Sequence, residues 1–227
     1  MPAALAKTLI DQPQIWEAQA DFKEYMSAVS PVMPRIDVVG FPNTLHASGA
    51  TGLIPFDLSA SLQTRYPATT PNLYAGYLRI NAGEQLSTDF IAASQMFFVI
   101  SGAGSTSIEQ GTIHWNSGDL FTLPGIKSAQ HRAQQDSVLF WVNDAPLLRY
   151  LGVAPNEQRF EPVLYTQERI TAELNKVRAM GENRNRVGIL LSNPHFPTTL
   201  TLTHTLWRMR SRLKYGLPSP FTYWSPS

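Results

Sequence analysis

The stretch that decides the fold is residues 73–142, in which short apolar runs alternate with turn residues. The runs are LYAGYLRI (73–80), QMFFVIS (95–101), GSTSIE (104–109), DLFTLP (119–124) and SVLFWV (137–142). Groups of turn residues that include glycine separate the first four runs, at 81–83, 102–104, 110–111 and 116–118. Short strands at this spacing are typical of β-sandwiches and β-barrels. The sequence therefore predicts a mainly β fold with this stretch as its core.

The residues before the core have a different pattern. In the first thirty residues, apolar side chains recur mostly at helical spacing, with a break near Pro13. This predicts two short amphipathic helices. Residues 31–70 are rich in Pro, Gly, Ser and Thr and suit loops and edge strands.

Beyond the core, the segment from Thr166 to Met180 carries apolar residues on one helical face and predicts a helix that Gly181 ends. Residues 185–194 (NRVGILLSNP) then resemble a buried strand. The alternation in residues 199–213 (TLTLTHTLWRMRSRL) predicts a strand with one exposed face.

An internal repeat is a further feature of the chain. Leu73-Tyr74 and Gly83 align without gaps onto Leu206-Trp207 and Gly216, in each case 133 residues later (73 to 206, 83 to 216). A duplicated barrel would produce such a repeat. The predicted divisions are N-terminal helices and loops that pack on a barrel (1–65), the barrel (66–153), a helix and strand connection (154–198), and an incomplete second barrel or a tail (199–227).

The composition excludes several kinds of function. The 227 residues include no cysteine, so disulfides, thiolate metal sites and a cysteine nucleophile are excluded. The formal net charge of +1 predicts no nucleic-acid or membrane partner, and the basic residues 208–214 suit a solvated strand face better than a phosphate site. The N-terminus has no secretory apolar core, so a cytoplasmic location is expected.

Residues 83–133 resemble the two signature motifs of the cupin superfamily. The first motif is a Gly, five residues, His-x-His, three or four residues, Glu, six residues and Gly. Counted from Gly83, its two histidine positions fall on Asp89 and Ile91, and its acidic position falls on Gln95. Gly102 supplies the closing turn.

The second motif is a Gly, five residues, Pro-x-Gly, two residues, His, three residues and Asn. Gly118 and Pro124 have this spacing, and the histidine position falls on Ala129. His131 lies two residues further on, so on a regular strand it points to the same side as Ala129. It is predicted to be a hydrogen-bonded histidine inside the barrel, with a metal ligand as the less favoured alternative.

The resemblance narrows to the N-terminal barrel of bicupins similar to gentisate 1,2-dioxygenase, over roughly residues 50–215. It implies a jelly-roll barrel, also called a double-stranded β-helix, with flanking N-terminal helices and one helix after the barrel. It also implies Fe(II), which these enzymes use with O₂ to open hydroxylated aromatic rings. The second barrel would be cut near its own ligand positions, and an apolar edge left there could join two copies in a homo-oligomer.

Only Asp89 among the motif positions is a good metal ligand, so no catalytic residue, no metal ligand and no cofactor is predicted. The positions expected to line the pocket are Asp89, Ile91, Gln95, Ala129 and His131. The favoured function is a non-catalytic cupin that binds a small molecule, such as a small aromatic acid, or serves a structural role. The alternative is an active Fe(II)-dependent dioxygenase of the gentisate type.

Overall fold

The structure is a computed structural model that describes residues 13–26, 38–125, 128–180 and 186–213. It divides into two compact units, Met1–Val39 and Gly40–Ser227. In the first unit, helix α1 (Pro13–Ala18) begins at the proline where the sequence predicts a break between two helices. Proline is favoured at this position because the first turn of a helix needs no amide donor. The earlier predicted helix lies outside the described residues.

The second unit contains the strands of the barrel. Its described strands are β1 (Gly52–Pro55), β2 (Tyr74–Ile80), β3 (Gln85–Thr88), β4 (Ser94–Ser101), β5 (Ala103–Ile108), β6 (Gly111–Asn116), β7 (Leu120–Pro124), β8 (Ala129–Ala133), β9 (Ser137–Asn143), β10 (Val163–Tyr165), β11 (Arg186–Leu191) and β12 (Arg208–Leu213). Its described helices are a 3-10 turn at Asn43–His46, α2 (Ser59–Leu62), α3 (Ala145–Leu151) and α4 (Gln167–Ala179).

No helix in the described ranges is long and apolar enough to cross a membrane.

The barrel consists of two antiparallel sheets. Within the described residues, one sheet has the strand order β1-β2-β9-β4-β7-β10 and the other has the order β3-β8-β5-β6. The prediction of a mainly β jelly-roll barrel is confirmed, with α4 as the helix that follows it.

The six-stranded sheet is buried on both faces. Its inner face joins a core cluster between the two sheets, which includes Phe97, Phe121 and Trp141. Its outer face joins a second cluster, which includes Met96, Phe98 and residues of the later chain. Because both faces are covered, β4 and β9 are apolar along most of their length and are easily predicted from sequence.

The four-stranded sheet is buried on its inner face only. In β8 (AQHRA) buried and exposed residues alternate strictly. Strands β3, β6 and β8 were not predicted, because their exposed faces are polar and their apolar residues are few. The five predicted strands of residues 73–142 are all confirmed, and β1 and β10 extend the same sheet beyond the predicted limits of 66–153.

The glycine turn between β6 and β7 is hydrogen-bonded to the helix that follows the barrel. Gly118 has φ +90°, a conformation that favours glycine, and the next residue, Asp119, is buried. The Asp119 carboxylate accepts hydrogen bonds from the amide of Asn116 (2.8 Å) and from that of Gln167 (2.7 Å), the first residue of α4. The predicted helix of 166–180 is confirmed as Gln167–Ala179, and Gly181, predicted to end it, lies outside the described residues.

Strands β11 and β12 form an antiparallel pair, as β1 and β2 do. Gly52 pairs with Arg79, and Arg186 pairs with Leu213. The turn before the second strand is also repeated. In the first copy the Leu73 amide donates to Thr70 Oγ1, and in the second the Leu206 amide donates to Thr203 Oγ1.

Two predictions for this hairpin need correction. The strand predicted for 199–213 begins only at Arg208, because the Thr203–Leu206 turn and the left-handed backbone of Leu200 interrupt the alternation. The basic residues do not form a solvated face throughout. Arg208 and Arg210 are partly buried, with guanidinium carbons 4.9 and 5.2 Å from the centre of the Phe98 ring.

A buried carboxylate joins the repeated turn to the barrel. Asp144, at the end of β9, accepts hydrogen bonds from the amides of Ala93 (2.7 Å) and Ser94 (3.1 Å). It also accepts from the hydroxyls of Ser94 (2.8 Å) and Thr205 (2.8 Å). Charge-assisted bonds of this kind are stronger than neutral ones. Asp144 therefore ties β4, β9 and the turn before β12 together.

We expect Asp144→Ala to lower the free energy of unfolding by about 3 kcal/mol, because two buried donors of Ser94 and two partly buried ones, the Ala93 amide and the Thr205 hydroxyl, lose their acceptor. Urea unfolding followed by tryptophan fluorescence measures the loss. Asp136→Ala is the matched control, since the carboxylate of the exposed Asp136 accepts an exposed amide, that of Ala82. It should cost less than about 1 kcal/mol. Equal losses in the two variants would contradict the role of Asp144.

Candidate functional site

The alternation of side chains along β3 shows which residues of the first motif face the barrel interior. Thr88 is buried and Leu86 packs against the inner core, so the even-numbered residues point inward. Phe90 continues this alternation, with its ring 4.8 Å from that of Tyr74.

Asp89 is exposed, and Ile91 is 58% exposed. The expectation that these two residues face the interior is therefore corrected. Counting from Gly83 placed the motif one residue away from the true alternation, and a shift of one residue moves a side chain to the other face of the sheet. Thr88 and Phe90 occupy the inner positions instead.

The other three predicted residues are buried on the inner faces of the two sheets. Gln95 and His131 are fully buried, and Ala129 is buried beside Thr88 in the pairing of β3 with β8. His131 follows Ala129 on the same face of β8. That these positions line a ligand pocket remains a prediction.

His131 is held between two threonine hydroxyls. Its Nε2 lies 3.1 Å from Thr88 Oγ1, and its Nδ1 lies 2.8 Å from Thr106 Oγ1. The Trp115 indole N–H donates to the same Thr106 oxygen at 2.9 Å. The His131 ring also lies 4.9 Å from the ring of Phe97. The prediction of a hydrogen-bonded interior histidine agrees with this geometry.

Burial lowers the pKa of His131 to about 3, because the barrel interior does not solvate an imidazolium ion. The ring is therefore neutral at physiological pH. A neutral imidazole binds metals through an unprotonated nitrogen, but both nitrogens here already have hydroxyl partners.

Gln95 faces the interior with an amide whose orientation is fixed. The Trp141 indole N–H donates to Gln95 Oε1 at 2.9 Å. An indole N–H can only donate, so the amide oxygen must face Trp141 and the Nε2 group must point elsewhere. That Nε2 is buried and has no hydrogen-bond acceptor among the described residues.

Asn143 repeats this arrangement on the neighbouring strand. It pairs with Gln95 across β4 and β9, and its Oδ1 accepts the backbone amide of Ala145 at 3.0 Å. Its Nδ2 is also buried, and it finds no acceptor in the part of the chain that the structure describes. Two amide donors are therefore left unsatisfied in adjacent positions.

Aromatic rings surround these polar groups. Phe90 stacks on Tyr74 at 4.8 Å and meets Trp141 edge-on at 4.9 Å. Phe97 stacks on Phe121 at 4.8 Å. Burial raises the pKa of Tyr74 to about 12, with the nearby Asp57 charge as a smaller cause, so its hydroxyl stays protonated.

The interior residues do not fit the iron centre that the family resemblance implies. Fe(II) centres of this type use imidazole and carboxylate ligands with open positions. The inner positions hold Thr88, Phe90, Gln95, Ala129 and His131, and Gln95 turns its oxygen to Trp141. Among the described residues, no group of three His, Asp or Glu side chains is arranged to hold a metal ion.

The other four histidines lie away from this interior. His46 meets the outer-face ring of Tyr77 at 4.5 Å, and His114 is exposed on β6. His195 and His204 are exposed in the connection before β12. None of them approaches His131 as a second imidazole.

The motif spacing did not single out Thr88, Phe90, Thr106, Trp141 or Asn143 as site residues. The alternation of Leu86, Thr88 and Phe90 with polar neighbours was the one usable signal. Nothing in the sequence indicated that Thr106 and Asn143 would meet the site, because their strands come from distant parts of the chain.

We expect the stability of the protein to fall as the pH is lowered from 6.5 to 5. The pKa of His131 is about 3 in the folded chain and about 6.5 when unfolded. Between these values the unfolded state binds one more proton, so a lower pH favours unfolding. The slope should be on the order of 1 kcal/mol per pH unit, measured by urea unfolding.

His131→Gln should remove this slope, and His114→Gln, on the exposed face of β6, should retain it. The range above pH 5 is chosen because most carboxylates stay ionised there. Identical slopes in wild type and His131→Gln would show that His131 does not carry the effect.

No family model matches the chain. Two curated proteins resemble parts of it. One is 5-aminosalicylate 1,2-dioxygenase from Comamonas sp., 30% identical over 129 residues, which are 54% of this chain and 34% of that protein. The other is 5-nitrosalicylic acid 1,2-dioxygenase from Bradyrhizobium sp., 24% identical over 91 residues, 39% of this chain and 44% of the relative. The chain thus matches less than half the length of either protein.

Solved structures resemble the chain over most of its length. A salicylate 1,2-dioxygenase variant from Pseudoaminobacter salicylatoxidans has a TM-score of 0.57 and 16% identity, and covers 93% of this chain and 76% of its own. A second variant of that enzyme gives a TM-score of 0.54 at 15% identity, over 91% and 77% of the two chains. Identities this low show the fold alone. The chain therefore has the fold of the salicylate dioxygenase, and parts of its sequence resemble salicylate-type dioxygenases.

Proposed function

We propose that this chain is a non-catalytic cupin of the cytoplasm that binds a small aromatic acid or a derivative of one, without a metal ion or a nucleic-acid partner. The similarity to dioxygenases named for aminosalicylate and nitrosalicylic acid supports the class of ligand.

One observation carries the proposal: the polar groups of the barrel interior are hydrogen-bond donors or are already paired. Gln95 and Asn143 present amide hydrogens to the interior, and both nitrogens of His131 are bonded to hydroxyls. A metal needs electron-pair donors, whereas a ligand oxygen needs N–H groups. This interior therefore suits an organic acceptor better than Fe(II).

The first test is metal content. Protein loaded anaerobically with Fe(II) and then desalted should hold well under one iron per chain, as measured by plasma emission spectroscopy. It should consume no O₂ with gentisate or salicylate. Near-stoichiometric iron with O₂ uptake would instead establish the second candidate, an Fe(II)-dependent ring-cleaving dioxygenase. The 30% identity to a 5-aminosalicylate 1,2-dioxygenase favours this candidate.

The second test is ligand binding without metal. In the presence of EDTA, millimolar salicylate, gentisate or salicylamide should raise the melting temperature by about 3 °C, since a ligand that binds only the folded state stabilises it. Aliphatic acids of similar size serve as the control and should leave the melting temperature unchanged. A panel in which no aromatic compound shifts the melting temperature would end the proposal.

A further inference from the structure

The unsatisfied amides of Gln95 and Asn143 form a pair. The register of β4 and β9 places the two residues directly opposite each other on the inner face, where paired Cβ atoms lie about 5 Å apart. Both side chains are fully buried. The Trp141 indole donates to the Gln95 oxygen and the Ala145 amide donates to the Asn143 oxygen, and these bonds fix the orientation of both side-chain amides. One oxygen atom between them would satisfy both.

The aromatic ring of Phe90 occupies a position next to this pair. It stacks on Tyr74 and meets Trp141 edge-on, and Trp141 itself donates to Gln95. Phe90 belongs to the short connection between β3 and β4 and is only partly buried, with exposed residues on either side. Its ring can therefore leave the interior with less disturbance than the fully buried rings of the two strands.

The charge of the surroundings selects the ligand. None of the described lysines and arginines is fully buried, so within this part of the chain no buried cation balances an anion in the interior. The carboxylate of Asp144, next to Asn143 in the chain, is also buried. An uncompensated anion in such a place is costly, whereas an uncharged carbonyl needs only hydrogen-bond donors.

We propose that Gln95 Nε2 and Asn143 Nδ2 bind the carbonyl oxygen of an uncharged aromatic carbonyl compound, whose ring replaces that of Phe90 against Tyr74 and Trp141. This site rests on the proposed function and deepens it, because it names the binding atoms and the ionisation state of the ligand. Salicylamide is a suitable probe, and salicylate is its charged counterpart.

The test is titration calorimetry at pH 7 with salicylamide and with salicylate. Salicylamide should bind at least about tenfold more tightly to the wild-type protein, because only the carboxylate must lose its hydration without a counter-charge. Equal affinities, or tighter binding of salicylate, would overturn the assignment of an uncharged ligand.

Two variants test the donor pair. Gln95→Glu keeps an oxygen for the Trp141 indole, and Asn143→Asp keeps one for the Ala145 amide, while each replaces the NH₂ group by oxygen. Each should weaken salicylamide binding by about tenfold or more. Gln130→Glu makes the same change on the exposed face of β8 and should leave the affinity unchanged.

Phe90→Ala tests whether the ligand ring replaces the ring of Phe90. This variant should bind salicylamide about tenfold more tightly than wild type, because no side chain has to be displaced. It should also bind toluene, and the addition of Gln95→Glu should not weaken the toluene complex, since toluene has no oxygen for the amides. Unchanged salicylamide affinity in Phe90→Ala would overturn the displacement of Phe90.

These outcomes separate the two proposals. If aromatic compounds bind but Gln95→Glu and Asn143→Asp bind salicylamide as well as wild type does, the donor pair is wrong and the proposed function stands. If no aromatic compound binds to wild type or to Phe90→Ala, both proposals fail. Should Gln95→Glu not fold, Asn143→Asp and the comparison of salicylamide with salicylate still decide the matter.

Discussion

The burial of the six-stranded sheet on both faces is the constraint on which the rest of the structure depends. A sheet with two apolar faces needs two covers. The four-stranded sheet covers the inner face, and Phe56, Ile170 of α4 and residues of the β11 region cover the outer one. The inner cover encloses a space between two sheets, and the residues that face this space form the candidate site.

This same constraint explains which parts of the fold could be predicted. Strands β4 and β9, apolar along most of their length, are recognisable from sequence without knowledge of their partners. Strand β8 alternates small or polar inner residues with polar outer ones, so its pattern is weak, and its position follows only from pairing with β3 and β5. The site depends on these weaker strands, and motif spacing put Asp89 and Ile91 on the wrong face, whereas His131 on β8 is buried.

The interior chemistry follows from which donors meet which acceptors. Trp115 and Trp141 can only donate, and each is fully buried, so each requires an acceptor. Thr106 accepts from one and Gln95 from the other. This fixes the Gln95 amide and brings Thr106 against His131, so the two indoles decide how the polar interior is oriented. Because the Gln95 amide turns its oxygen to the Trp141 indole, its NH₂ group faces the rest of the site.

The second hairpin shows that one backbone pattern can serve two different roles. β1 and β2 form an antiparallel pair, as β11 and β12 do, and the turn before the second strand uses an equivalent threonine in both. In the first copy, β2 continues into the barrel by pairing with β9. In the second, Leu191, Leu202 and Leu206 pack against the outer face of that barrel, and two arginine guanidinium groups lie over the ring of Phe98. The repeated unit therefore supplies part of the outer cover that the six-stranded sheet requires, and Asp144, through Thr205, holds that cover in place.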